Sequence, residues 1–323
     1  MSEVLPAAAR PVAPWPGTAA ARWRESLLRL ACGAAKTYLQ HAPGRLGKRL
    51  LWDSVVRPYL LWRPLEIEAR ARFGDRFAGS FPDSVHSFLY FFGVWEPAVT
   101  AIYRAALRPG DIVVDVGANV GTHALLAASL VGPQGRVHAI EASPWIHARL
   151  LRNIMVNGHT QVITHNMAAT EVPGEVTVFL HDGSNLGGTT IVPSEAERLG
   201  AREEASVPGL PLPLIIPLED LLAARLIKID VEGAEWLVVQ GMLSVLPRLR
   251  ADCEILIEVN PAALHHFGGS LEALLAIFAQ AGFIPFEVAN RYDGGFYIAP
   301  PAVPAQPFVM REFEVADLLF RRA

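Results

Sequence analysis

The chain is poor in the features that most readily commit a sequence to one class. It holds only two cysteines in 323 residues, Cys32 and Cys253, far apart and in helix-like and strand-like surroundings. That argues against a disulfide framework and for reduced, packed thiols, as in a cytoplasmic protein. No uninterrupted apolar run reaches the roughly 18 residues needed to span a bilayer. The N-terminus lacks the basic-then-apolar order of a signal peptide, so the expected compartment is the cytoplasm. The net charge is only −4, which gives no reason to expect nucleic acid as a partner. There is no internal repeat. His265 and His266 lack the i,i+4 spacing of a helical zinc pair, and no acidic cluster stands out along the chain, so no metal is expected.

What is present is apolar material. Hydrophobic residues make up 51% of the chain and charged ones 19%, with a mean hydropathy of +0.28, enough for a large core. The charge is unevenly placed. Residues 1–63 carry ten Lys or Arg against Glu3, Glu25 and Asp53, a balance of +7, which leaves −11 for the remainder. Residues 1–20 are rich in Ala and Pro and read as disordered. Residues 21–84 form a basic, mostly helical extension, broken at Pro43, Pro58 and Pro64, with a small strand pair over 73–90. A helix over 96–107 leads into a domain spanning 85–323.

From residue 111 the chain alternates short β-branched runs with helices. Strands are read at 112–116, 136–141, 161–168, 226–231 and 254–259, with helices at 119–130, 144–156, 234–242 and 271–281. Ser143 stands where it would cap the second of these. Such alternation predicts a mostly parallel, doubly wound α/β sheet. The runs at 283–288 and 295–300 read as a closing hairpin that supplies one reversed strand. EVTVFL (175–180) reads as half of another hairpin, and the Gly- and Pro-rich segment 181–216 as a long insertion or lid.

The most informative stretch is DIVVDVGANVG (111–121). An apolar strand runs into a turn where Gly117 and Gly121 allow close backbone approach, and a helix follows at once. Two ligands suit such a turn, a dinucleotide or a nucleoside carrying an amino acid. The dinucleotide fingerprint wants a third glycine where Asn119 stands. Asp115 places a carboxylate that repels a pyrophosphate but can receive the ammonium of a methionine moiety. Glu141 ends the next strand, placed to accept bonds from ribose hydroxyls in either kind of site.

The run VVDVGANVGTHALLAASLVGPQGRVHAIEASP resembles the cofactor half of the FkbM family of methyltransferases. LIKIDVEGAEWLVVQGM (226–242) is similar to that family's second signature, FGVWEPAVTAIYRAALRPGD (92–111) to its lead-in, and ILIEVNP (255–261) to its later strand. Thr122 and His123 stand where many relatives carry aromatic residues. The resemblance covers about residues 85–300. It implies the Rossmann-like class I methyltransferase fold, a seven-stranded sheet with a reversed last hairpin, S-adenosyl-L-methionine as cofactor, and O-methylation of a sugar, glycan or natural-product hydroxyl.

The expected cofactor set is Asp115, Gly117, Ala118, Asn119, Gly121, Thr122, Glu141, Ala142, Asn166, Ala168 and Asp230. Asp230 stands near the methionine end, or serves as proton acceptor with Glu232 as the alternative. The competing reading for Asp230 is an internal ion pair with Lys228, and for Glu232 a helix-start acid favoured by the macrodipole. Glu258 and Asn260 end the neighbouring strand, placed to orient an acceptor, and Asn166 lies where the adenine edge would be. Trp95 and Glu96 precede the sheet, as cofactor cover or as core. His181, Asp182, Ser184 and Asn185 sit in the insertion, as acceptor contacts or as solvated loop. The basic front end, with Trp23, Trp52, Tyr59 and Trp62 among its arginines, reads as a solvated extension, a homodimer contact, or a peripheral membrane contact on the inner face. Two other function classes stay open, an NAD-dependent oxidoreductase and a non-catalytic cofactor-binding scaffold.

Overall fold

Buried β-branched runs need both faces covered, and the alternation after residue 111 supplies strands and covering helices in turn. A computed structural model of the chain describes residues 19–181 and 189–322. The chain forms two compact units. The first comprises residues 19–97 and 291–302, and the second 98–181, 189–290 and 303–322. The sequence boundary at 84/85 falls inside the first of these. The expectations for residues 1–18 and for Asp182, Ser184 and Asn185 lie outside the described residues.

The second unit is built on one sheet. Strands β3 (Ile112–Val116), β4 (Arg136–Ile140), β5 (Val162–His165), β9 (Ala224–Ile229) and β10 (Glu254–Val259) are parallel to their neighbours. β13 (Ala316–Arg322) lies antiparallel between β10 and β11 (Phe283–Val288), and the short β12 (Ala305–Pro307) extends the edge beyond β11. The order β12-β11-β13-β10-β9-β3-β4-β5 contains six of the seven strands read from the sequence, with β13 in the place of the seventh and β12 an addition. Apart from the first residue or two, β3, β4 and β9 are buried throughout. Their side chains, with those of the helices Glu235–Gly241 and Leu271–Gln280, form one continuous core. Strand order reverses between β3 and β9, and at such a switch point the loops leaving the strands diverge and open a crevice.

The reversed strand is not where the sequence reading put it. GFYIAP, expected as half of the closing hairpin, contains a helix, Gly294–Ile298, capped by the Asp293 side chain, and it belongs to the first unit. Its Tyr297 is buried against Phe88 and Phe92. The strand itself is ADLLFRR, seven residues with a buried centre. The segment 181–216 is also more structured than a lid loop. It contains a helix, Pro193–Leu199, and β8 (Arg202–Leu210). β8 pairs antiparallel with β7 (Gly174–Leu180) and parallel with β6 (Ala168–Ala169), making a separate three-stranded sheet.

In the first unit a long helix, Ala19–His41, precedes a short one, Leu46–Leu51. The chain then continues without a break through Pro58 as a wide helix, Trp52–Leu60. The missing proline N–H breaks nothing there, because the turn has widened, as the Leu61 N–H bond to the Val56 carbonyl shows. The strand pair falls at β1 (Leu65–Arg70) and β2 (Arg76–Phe81), earlier than expected. Ser84–Phe92 is a helix, because Asp83 accepts from the His86 amide at its start and Gly93 closes it in the left-handed region. Trp52 is core, with Phe88 and Phe92 rings 5.4 and 4.7 Å away. Trp95 stacks on Tyr292 within the same unit. Among the described residues no helix is long and apolar enough to cross a membrane.

Candidate active site

The turn after β3 lies at the switch point. Gly117 has φ +81°, Asn119 φ +50° and Gly121 φ +93°, so three of five residues occupy the left-handed region that side chains disfavour. An ideal Cβ on Gly117 would lie 1.8 Å from the backbone oxygen of Asp230. The β3 turn and the end of β9 therefore touch backbone to backbone. Every amide in the turn is already engaged. Gly117 and Ala118 both donate to the Ile140 carbonyl, and Gly121 to that of Ala118. Asn119 donates to Glu141 Oε2, and Val120 to the Asn119 side chain. A pyrophosphate needs such amides free and aimed outward. Here they face inward.

Asp115 ends β3 fully buried, with neither carboxylate oxygen in a well-formed hydrogen bond and the Ala124 amide the one donor that approaches it. Burial raises its pKa to about 6. The Lys228 ammonium and, more weakly, the Ala124 amide draw it down, while Asp230 pushes it up. A buried acceptor pair so poorly supplied with donors is the group that a ligand ammonium would satisfy. Glu141 is buried too, its oxygens accepting from the Asn119 and Ser143 amides. Burial raises its pKa to about 7 against those two bonds. Each oxygen keeps a second lone pair. Asn166 spends its amide hydrogens on the carbonyls of Glu141 and Ala142, so it fixes the loop that carries Glu141 and retains only its Oδ1 for a ligand. Ala168 is buried in β6, and Thr122 opens the helix after the turn.

The second cluster lies at the ends of β9 and β10. Asp230, Glu232 and Glu258 bring carboxylate oxygens within 4.8 Å of one another. The sequence showed no acidic cluster, because strand ends 28 residues apart had to be folded together to make one. Three such oxygens can hold a divalent cation or share protons. Asp230 also forms the ion pair with Lys228 that its alternating position allowed, at 2.7 Å. Burial, then repulsion from Asp230 and Glu235, holds Glu232 well above the usual carboxylate range, with Lys228 and Arg198 pulling the other way. Burial, then repulsion from Asp230 and Glu232, does the same to Glu258. Asn260 does not reach into this group through its Oδ1, which caps the helix Pro261–His266.

Four supporting residues escaped the sequence reading. Glu235 Oε1 accepts from the amides of Val231 and Gly233 and so shapes the turn that presents Glu232. Its position in GAE, one residue into a helix, was the available signal. Thr190, next to the insertion's helix, donates to the Glu232 carbonyl. Glu204 on β8 accepts from Ser143 Oγ and the Trp145 amide. Asp317 is register partner to Glu258, and burial raises its pKa to about 6. The last three come from distant segments, and no local pattern marks them.

With this geometry established, similarity to known proteins becomes informative. Residues 115–285, more than half of the chain, match the family model described as the methyltransferase FkbM domain. The chain is 30% identical over 203 residues to a 31-O-demethyl-FK506 methyltransferase, FkbM, from Streptomyces tacrolimicus, covering 55% of this chain and 74% of that protein. It is 28% identical over 152 residues to a protein-L-isoaspartate O-methyltransferase from Ignicoccus hospitalis, covering 45% and 64%. A solved FkbM methyltransferase from Methylobacillus flagellatus aligns with a TM-score of 0.38 at 16% identity, over 74% of this chain and 55% of that one. Likeness at that level adds nothing to the topology already described.

Proposed function

We propose, from the premise that this chain belongs to the FkbM family of class I methyltransferases and uses S-adenosyl-L-methionine, that it O-methylates a hydroxyl of a sugar, glycan or natural product. The observation that carries the proposal is the backbone contact between Gly117 and Asp230. It sets the turn suited to the cofactor against the carboxylate cluster suited to a hydroxyl proton.

The residues fit the cofactor. Asp115, whose buried oxygens lack a well-formed hydrogen bond, would receive the methionine ammonium. Glu141 keeps lone pairs for the ribose hydroxyls, and Gly117 and Gly121 leave the turn without side chains. When bound, S-adenosyl-L-methionine supplies a methyl group activated by its sulfonium. The chain's own task is to hold an acceptor oxygen in line and take its proton. Asp230 is committed to Lys228, so the acceptor of that proton is assigned to Glu232 and Glu258. Their raised proton affinity makes them stronger bases than exposed carboxylates. Asp230 then orients the acceptor hydroxyl.

The second relative named above is an isoaspartate methyltransferase, whose name indicates a carboxylate acceptor. A carboxylate entering this site would add a further negative charge beside Asp230, Glu232 and Glu258, whose own ionisation burial and mutual repulsion already oppose, and this favours a neutral hydroxyl. The test is incubation with S-adenosyl-L-methionine and a panel of hydroxylated and carboxylated acceptors, reading S-adenosylhomocysteine release and locating the methyl by NMR. Base-labile methyl esters as the product, with ethers absent, would sink the hydroxyl reading. Turnover alone would dispose of the scaffold alternative.

A further inference from the structure

The long helix Ala19–His41 carries two apolar stripes. Leu28, Cys32, Ala35 and Leu39 recur at spacings of four, three and four and pack into the first unit's core. That stripe explains why the helix folds onto this unit. Trp23, Leu27, Leu30, Ala34 and Tyr38 recur at four, three, four and four along a separate face. That second stripe is exposed, with Trp23 at 71%, Leu27 at 60% and Leu30 at 70%. Gly47 sits against the Tyr38 hydroxyl, which brings the start of the next helix to the stripe's end. Leu46 and Leu50, one helical turn apart there, are exposed as well. Single exposed leucines need no explanation, but a continuous stripe does.

Charge identifies what covers it. Between residues 22 and 63 stand nine Lys or Arg and only two acids, Glu25 and Asp53. Both acids are held in i,i+4 ion pairs, with Arg29 and Arg49. A second copy docking by the same stripe would bring two strongly basic surfaces together, at a Coulomb cost. An anionic bilayer reverses that sign. It takes Leu side chains into the acyl boundary, suits Trp and Tyr at the headgroup level, and attracts each Lys or Arg near its surface.

We infer that the stripe Trp23–Leu27–Leu30–Ala34–Tyr38 is a docking surface for an anionic lipid bilayer, on which the helix lies in the plane of the interface. This inference is independent of the acceptor proposed above. The test uses the full chain and sedimentation with vesicles of phosphatidylcholine alone or mixed with phosphatidylserine. Binding to the mixed vesicles is expected to be at least tenfold tighter than to phosphatidylcholine, and to weaken steeply with salt. Leu27→Glu/Leu30→Glu replaces exposed residues, so its melting temperature should match the parent's while vesicle binding falls at least tenfold. Equal binding to both vesicle types would overturn the inference, and that comparison needs no variant. So would undiminished binding by the double variant. A dimer in light scattering that the double variant splits, without vesicle binding, would assign the stripe to a second copy instead.

Discussion

Gly117→Ala probes the contact on which the functional reading rests. Gly117 has φ +81°, and an added Cβ would stand 1.8 Å from the Asp230 backbone oxygen and 2.8 Å from its carbonyl carbon. No flexible side chain is available to give way. Both sides of the contact are pinned, since Gly117 and Ala118 donate to Ile140 and the Asp230 amide donates to Val116, all at 2.9–3.0 Å. The left-handed conformation costs a residue with Cβ roughly 1–2 kcal/mol. Forcing apart two hydrogen-bonded backbones adds an overpacking cost of roughly 1–3 kcal/mol. The total is about 2–5 kcal/mol, or some 4–20 °C in melting temperature at about 2–4 °C per kcal/mol for a domain of roughly 150–250 residues.

Gly158→Ala is the matched control, because Gly158 has φ +72° with nothing within 4 Å of its ideal Cβ. Only the conformational cost of about 1–2 kcal/mol applies there. The assay is thermal unfolding by circular dichroism, paired with calorimetry of S-adenosylhomocysteine binding. Gly117→Ala should melt well below Gly158→Ala and bind the ligand at least tenfold more weakly. If the two variants melt together and both bind like the parent, the turn is not pressed against Asp230. The adjacency of cofactor turn and acid cluster then fails.

Three further expectations follow from the same site. Because burial holds Asp115 at about 6 and an ammonium prefers the carboxylate, affinity for S-adenosylhomocysteine should climb by up to tenfold per pH unit below about 6 and level off above. Asp115→Asn should bind weakly with a flattened profile, and a flat parent profile by calorimetry would remove Asp115 from the ammonium site. Glu232→Gln and Glu258→Gln should lower turnover by about 10²–10⁴-fold at unchanged S-adenosylhomocysteine affinity, while near-normal turnover in both would dismiss the pair as proton acceptor. Glu141 and Glu235 titrate near 7 in the fold and near the ordinary 4.5 when unfolded. The folded chain therefore holds their protons more tightly, and stability of the ligand-free protein falls as pH rises between those values, by up to roughly 3 kcal/mol for each group. Denaturant titrations at pH 5 and 8 measure this, and Glu141→Gln should flatten its share.

The parallel sheet was legible because buried strands write themselves as short apolar runs rich in Ile, Val and Leu, as in IVVDV, LIKI and EILIEV. The turn was legible because only glycine adopts those dihedrals cheaply, although Asn119 shows a non-glycine paying the same strain. What escaped was decided by tertiary burial. GFYIAP has strand composition, yet Tyr297 is drawn into the aromatic core of the first unit, and an Asp293 cap suffices to start a helix there. ADLLFRR becomes the reversed strand because its Leu318, Leu319 and Phe320 are buried in the sheet between β10 and β11. At the site, Asp115, Glu141 and Asp230 stood out because each ends a strand. Glu204, Thr190 and Asp317 are meaningful only through partners brought in by other segments.

The electrostatics of the second unit constrain the acceptor more sharply than any motif does. Asp115, Asp230, Glu232, Glu235, Glu258 and Asp317 influence one another, and Lys228 is the base most consistently opposing them. Grouping carboxylates this way, with Asp115 and Glu235 buried and the others half-buried, destabilises a fold, since each loses hydration and repels its neighbours. Burial without full pairing is a liability unless the group is used, and perturbed acids in a crevice at a switch point mark such use. The same field that would draw in an ammonium and a hydroxyl proton repels phosphates and carboxylates. On the proposed reading it would admit a cationic donor on the Asp115 side and an uncharged oxygen at Glu232 and Glu258.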